Sequence, residues 1–181
     1  MELEKAKAIA ERLKALLTAA CGRINMDGSD QPAIIIAGSI RRLKPDVGDI
    51  ELLCVPRYIV GVDMLDAKVR TLILLRTLDF RLNRRGSKMY GTKNKLLVHV
   101  ESGIGVDIFS TTEKCWPVAL VVRTGGKETN TRIAAAALRK GYRFRAYGDG
   151  FDTPNGHIHC SNEREVFEVV GLPYKEPWKR E

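Results

Sequence analysis

GSIRRLKPDVGDIELL, residues 38–53, is the stretch on which the fold turns. It opens on a Gly38-Ser39 turn followed by Arg41 and Arg42, and closes on a strand carrying Asp49 and Glu51. Residues two apart in a strand point to the same face, roughly 6.6 Å apart along the chain. Asp49 and Glu51 therefore project together, while Ile50 and Leu52 face a core. A third carboxylate, Asp107, sits in another apolar stretch, Gly105–Phe109. An acidic pair on a strand is most often a solvated outer face. This strand, however, is wholly apolar after Glu51, as interior strands are, and an acid there is costly without a partner. Carboxylates sharing a face repel one another unless cations sit between them. Such a site suits Mg²⁺, which takes oxygen ligands and shares them with substrate phosphates. The Gly-Ser turn offers backbone N–H groups and a hydroxyl to an anion. The combination reads as a metal-dependent nucleotidyl-transfer site.

The rest of the composition agrees with that chemistry. The 181 residues are enough for one ordinary domain or two small ones. A hydrophobic content of 44% and a charged content of 29% are those of a globular protein. The formal charge of +8 favours nucleic acid or anionic surfaces as partners. No apolar run is long enough to span a bilayer, so no membrane association is expected. The N-terminus lacks the pattern of a signal peptide. Cys21, Cys54, Cys115 and Cys160 form no CxxC pair and read as reduced, mostly buried thiols. That suits a reducing cytosol. His157, His159 and Cys160 are not a standard tetrahedral zinc set, and read as a polar-sided strand of a hairpin.

Periodicity sets out the elements. Residues 2–21 predict an amphipathic helix, 25–32 a polar loop, 33–37 a short strand and 49–56 the acidic strand. A second helical pattern runs over 62–78, capped by Asp63. A basic, turn-rich stretch follows at 81–91, then a hairpin of 96–101 with 105–109. After Ser110 the character changes. An apolar 118–122 and a Thr124-Gly125-Gly126 turn precede an alanine-rich helix, 130–140, ended by Gly141. Residues 142–147 and 156–160 predict a small hairpin, and 163–170 a last short helix. The expected fold class is α+β: a palm subdomain of mixed β-sheet with packed helices over 1–112, and a small α/β thumb-like subdomain over 113–181.

These motifs resemble the DNA polymerase X family, the polymerase-β-like nucleotidyltransferases. The resemblance is carried by GSIRRLKPDVGDIELL (38–53), GVDIF (105–109), RTGGKETNTRIAAAALRKGY (123–142) and EREVFEVVGLPYKEPWKRE (163–181), in order along nearly the whole chain. It implies a minimal palm-plus-thumb form without the lyase domain of larger members. It also implies that Asp49, Glu51 and Asp107 hold two Mg²⁺ ions, with Mn²⁺ as a possible substitute. Gly38, Ser39, Arg42 and Gly48 match positions that hold the β- and γ-phosphates of a nucleoside triphosphate. Val122, Arg123, Thr124, Gly125 and Asn130 match the nucleotide-facing turn and helix. Lys127, Arg132, Arg139 and Lys140 are candidate DNA-phosphate contacts, giving salt-sensitive affinity with little sequence preference. Three positions depart from the pattern. Glu51 replaces an aspartate, Val122-Arg123 replace an aromatic pair that screens the sugar 2′ position, and Gly105 stands where an arginine often precedes the third acid.

The function implied is a small template-directed DNA polymerase filling short gaps in repair, acting on primer-template or gapped DNA as a monomer. The expected location is cytoplasmic, or nuclear in a eukaryote. Two alternatives compete: a nucleotidyltransferase using an untemplated 3′ end, RNA or another acceptor, and a non-catalytic DNA-end-binding subunit.

Overall fold

Helix α1 (Leu3–Thr18) buries Ala6, Ala10, Leu13 and Leu17, a three- and four-residue repeat that makes one apolar stripe. This computed structural model describes residues 1–26, 28–83 and 85–181. In it the chain divides into two compact units, Met1–Glu113 and Lys114–Glu181. After α1 the first unit forms β1 (Arg23–Met26), β2 (Ser29–Pro32), β3 (Ile34–Ile36), the single turn α2 (Gly38–Arg41) and β4 (Asp49–Cys54). It continues with β5 (Tyr58–Ile59), β6 (Val62–Asp63), α3 (Met64–Leu74), β7 (Leu78–Phe80), β8 (Asn94–His99) and β9 (Gly105–Ser110).

Five strands make the main sheet, in the order β3-β4-β9-β8-β7. Only β4 and β9 run parallel; the other pairs are antiparallel. One face carries Ile50, Leu52 and Cys54 from β4, Val106 and Ile108 from β9, and Leu97 from β8. These pack with the α1 stripe and with Leu65, Val69 and Leu72 of α3. The opposite face is where the acids point, because side chains alternate along each strand.

In the second unit α4 (Trp116–Thr124) and α5 (Lys127–Arg139) precede a three-stranded sheet. Its strands are β10 (Arg143–Phe144), β11 (Gly150–Thr153) and β12 (Gly156–His159), and α6 (Glu163–Glu168) follows. Val118, Val121, Ile133, Ala137, Phe151 and Phe167 form its core. The C-terminal tail is fastened by Arg180, which is fully buried. Arg180 donates to Glu163 Oε1 at 2.8 Å and to the Lys175 carbonyl at 2.8 Å. Its guanidinium also lies over the rings of Phe167 and Tyr174.

Several elements differ from the sequence expectation. The stretch 25–32, expected as a loop, belongs to the antiparallel β1–β2 hairpin, fastened by an Arg23–Asp30 ion pair. Every residue of β2 is exposed, so no apolar alternation marks it. The helix expected over 62–78 spans only Met64–Leu74, with Asp63 capping it by accepting from the Asp66 N–H. Arg76 takes φ 57°, which no helix accommodates, and Leu78 already starts β7. The expected two-stranded hairpin after Gly141 is three-stranded, with β11 between the two predicted arms. Helix α5 begins three residues earlier than expected, at Lys127. Asp27 of the expected loop and Arg84 of the basic stretch lie outside the described residues. Among the described residues no helix is long and apolar enough to cross a membrane.

Candidate active site

The register of the parallel pair assembles the acidic face. Across β4 and β9, Asp49 lies opposite Gly105 and Glu51 opposite Asp107. Neighbouring strands lie about 4.8 Å apart, so Asp107 stands beside Glu51, with Asp49 two residues along. All three acids are half-buried, whereas Ile50, Leu52, Val106 and Ile108 are fully covered on the other side.

The Gly38-Ser39 turn abuts this face. The Ala37 N–H donates to the Glu51 carbonyl at 2.8 Å, tying the start of the turn to the acidic strand. The backbone favours glycine at residue 38, and a larger residue would also displace the end of the Glu51 side chain. Its φ is +59°, and a Cβ would overlap Glu51 Oε2 and come within 2.8 Å of Cδ. The extra methylene of Glu51 thus carries its carboxylate against the turn. Ser39 Oγ is buried and has no hydrogen-bond partner among the described residues, an arrangement that ordinarily costs free energy. Arg42 caps α2, its N–H donating to the Gly38 carbonyl. Gly48 is exposed and a Cβ there would touch nothing, so packing does not dictate glycine at that position.

Sequence reasoning missed Arg81. Its Nη2 is ion-paired with Asp107 Oδ1 and lies 4.0 Å from Asp49 Oδ2. The guanidinium also fills the space over Gly105, where a Cβ would collide with Nη1. The contact depends on strand order, and the local sequence around residue 81 carried no sign of it. The bare Gly105 was its only trace.

These residues fit a divalent cation by their chemistry. Three carboxylates on one sheet face form an all-oxygen donor set of the kind Mg²⁺ takes, and the face already holds a positive group, Arg81. As packed, the acids are not drawn to a point. Among the described residues no three His, Cys, Asp or Glu side chains cluster closely enough to cage a metal.

In the second unit, Val122, Arg123 and Thr124 form the last turn of α4, and Gly125 caps it with φ 68°. Asn130, in α5, donates from Nδ2 to the Val122 carbonyl at 2.9 Å. Its Oδ1 is buried without a partner among the described residues. Arg123 lies over the Tyr147 ring. Lys127, Arg132 and Arg139 are exposed along α5. Arg132 and Arg139, seven apart, share a face, and Lys127 lies about 140° from Arg132 around the helix. Lys140 is partly committed, since its ammonium donates to the Val169 carbonyl at 3.0 Å.

His157 and His159 lie on β12 and Cys160 is buried behind them. Both imidazoles bond to Asp149, and His157 also bonds to Asp152. Asp152 first, then Asp149, raises the His157 pKa. Asp149 is itself held down at about 2, chiefly by Lys114. The histidines are therefore partners of carboxylates in a charge network.

The chain is similar to several known proteins. Residues 119–181 match the family model described as the DNA polymerase beta thumb. The chain is 31% identical over 147 residues to the DNA polymerase/3′-5′ exonuclease PolX of Bacillus subtilis, covering 80% of this chain but 24% of that protein. It is 28% identical over 148 residues to a Repair DNA polymerase X of African swine fever virus, covering 81% of this chain and 80% of the viral protein. Leishmania infantum polymerase beta, in its ternary P/T complex, superposes with a TM-score of 0.76 at 21% identity. That match covers 100% of this chain and 76% of the other. The chain thus spans about a quarter of the bacterial relative and four fifths of the viral one.

Proposed function

We propose that this chain is a member of the DNA polymerase X family, a small template-directed DNA polymerase that fills short gaps in repair. The observation that carries the reading is the parallel β4–β9 register, which sets Asp49, Glu51 and Asp107 on one face beside the Gly38-Ser39 turn. Asp49, Glu51 and Asp107 would hold Mg²⁺, or Mn²⁺ in its place. The chemistry such ions supply is charge neutralisation of the triphosphate and activation of the attacking hydroxyl.

The chain's own groups do the positioning. The Ser39 hydroxyl, buried and without a hydrogen-bond partner among the described residues, can donate to a phosphate oxygen. Arg42 and the backbone of Gly38 and Gly48 complete the phosphate cradle. In the second unit Asn130 offers Oδ1 to a nucleotide, while its Nδ2 stays on the Val122 carbonyl. Lys127, Arg132, Arg139 and Lys140 contact DNA phosphates. In the reaction the primer 3′-oxygen bonds to the α-phosphorus, its proton passes to Asp107, and the bond to the bridging oxygen breaks to release pyrophosphate. Phosphoryl transfer needs mainly positioning and charge neutralisation, which is what this site is built to give.

Primer extension on a one-nucleotide gap with Mg²⁺ or Mn²⁺ tests the proposal. One templated nucleotide is the expected product. No extension by the native chain with either metal would overturn it.

A further inference from the structure

We propose that Arg81 is a positioning residue of this site: it occupies the place of a side chain at residue 105, holds the Asp107 carboxylate, and competes with a divalent cation for it. This rests on the reading of the acidic face as a metal site.

Four observations converge. The Arg81 N–H donates to the Leu96 carbonyl at 3.2 Å, and Leu96 pairs with Asp107 across β8 and β9. Arg81 is thereby fixed level with the third acid, two strands away. Phe80 pairs with Leu97, and Leu97 with Val106, all packed at the core face. Arg81, one residue on, therefore emerges on the acid face. Its guanidinium ion-pairs with Asp107 and stands 4.0 Å from Asp49. Finally, any side chain at 105 would meet that guanidinium, with Cζ 2.9 Å and Asp49 Cβ 3.3 Å from the first added carbon. Gly105 does not lie in the left-handed region, so its backbone would accept another residue; the space that a side chain would take there is the space the guanidinium fills.

The chemistry gives Arg81 two linked effects. As a fixed cation it draws Asp107 and Asp49 toward one another, which their like charges oppose. As a charge at the same oxygens it disfavours a second cation until one displaces it. A guanidinium forks onto two oxygens where an ammonium cannot, so Arg81→Lys will not reproduce the first effect.

The test is Mn²⁺ binding to the full chain without DNA, read by electron paramagnetic resonance, alongside single-turnover extension at saturating Mn²⁺. Arg81→Ala is expected to bind Mn²⁺ about tenfold more tightly, as removal of an adjacent unit charge predicts. It should also extend primers at least about tenfold more slowly, with nucleotide KM little changed, as loss of an interaction that matters in the transition state does. Arg81→Ala/Gly105→Arg returns a guanidinium from β9, the strand that carries Asp107, and should move both quantities back toward the native values. A merely structural arginine would not be rescued in this way. Mn²⁺ affinity within twofold of native in Arg81→Ala, or a double variant no better than the single one, overturns the assignment. If Arg81→Ala does not fold, Arg81→Gln, which keeps most of the length without the charge, is judged by the same outcomes. A native chain that extends nothing, yet shows the Arg81-dependent Mn²⁺ response, would refute the polymerase reading and leave this inference standing.

Discussion

Replacing Arg180 by alanine should unfold the second unit more readily than any exposed charge change. Arg180 is fully buried, donates to Glu163 and to the Lys175 carbonyl, and covers two aromatic rings. The Glu163 side chain is only 13% exposed, so deleting the arginine takes a cation away from a largely buried carboxylate. Breaking one side of a buried pair costs about 3–5 kcal/mol. A domain's whole stability is only about 5–15 kcal/mol, so the loss is a large fraction of the total. Both tryptophans, Trp116 and Trp178, lie in the second unit, and Trp116 is buried, so fluorescence during urea unfolding follows this unit. With a urea slope near 1 kcal/mol/M for so small a unit, the midpoint should fall by about 3 M. Arg180→Met/Glu163→Leu removes both charges and should recover to within about 1 kcal/mol of native, as apolar replacements of buried pairs do. The tail also carries a functional cost. Glu181 exchanges backbone and side-chain hydrogen bonds with Thr129, next to Asn130. Nucleotide KM should therefore rise in Arg180→Ala under conditions where the unit stays folded. A loss below about 1 kcal/mol, or a double variant as unstable as the single, refutes this account of the tail.

Other predictions are direct. Asp49→Ala and Asp107→Ala should each abolish extension while gel-shift affinity for gapped DNA stays near native, because phosphate contacts and chemistry use different residues. Gly38→Ala should lose about 1–2 kcal/mol for its left-handed backbone, measured by chemical unfolding. Extension should fall further than that stability loss explains, because the new Cβ pushes Glu51 aside. In the second unit, the raised His157 pKa, set first by Asp152, stabilises the fold fully below the usual histidine range and is lost as pH climbs through the raised value. The depressed Asp149 carboxyl works in the opposite sense, its contribution disappearing as pH falls from about 4 toward about 2. The melting temperature should therefore decline on both sides of mildly acidic pH, and His157→Gln should remove the alkaline-side decline. Val122, being aliphatic, should permit measurable ribonucleotide incorporation, and Val122→Tyr should reduce it in a competition assay.

What the sequence disclosed depended on whether an element has a buried side. Helix α1 and strand β4 carry unbroken apolar patterns, and both were legible. Strand β2 has every residue exposed and left no pattern to read. Strand β11 is short and holds Asp152 beside the buried Phe151, which stacks on Phe144. That mixture resembles a turn. The helical pattern after Asp63 ran on because Leu74 and Leu75 are apolar although exposed, and nothing local announces the backbone reversal at Arg76. At the site, the residue types and their two-residue spacing marked Asp49 and Glu51. The register that sets Asp107 opposite Glu51 belongs to strand order, and so does the approach of Arg81 from the edge strand.

Strand β9 is the last of the first unit's strands in the chain, yet it fills the middle of the sheet. A ribosome delivers β4, with its two acids and the phosphate turn, well before β9 emerges. Until that late strand slots in, the earlier pieces have neither their third oxygen donor nor their arginine neighbour. A chain ending before Gly105 therefore lacks both Asp107 and the parallel register that sets it opposite Glu51.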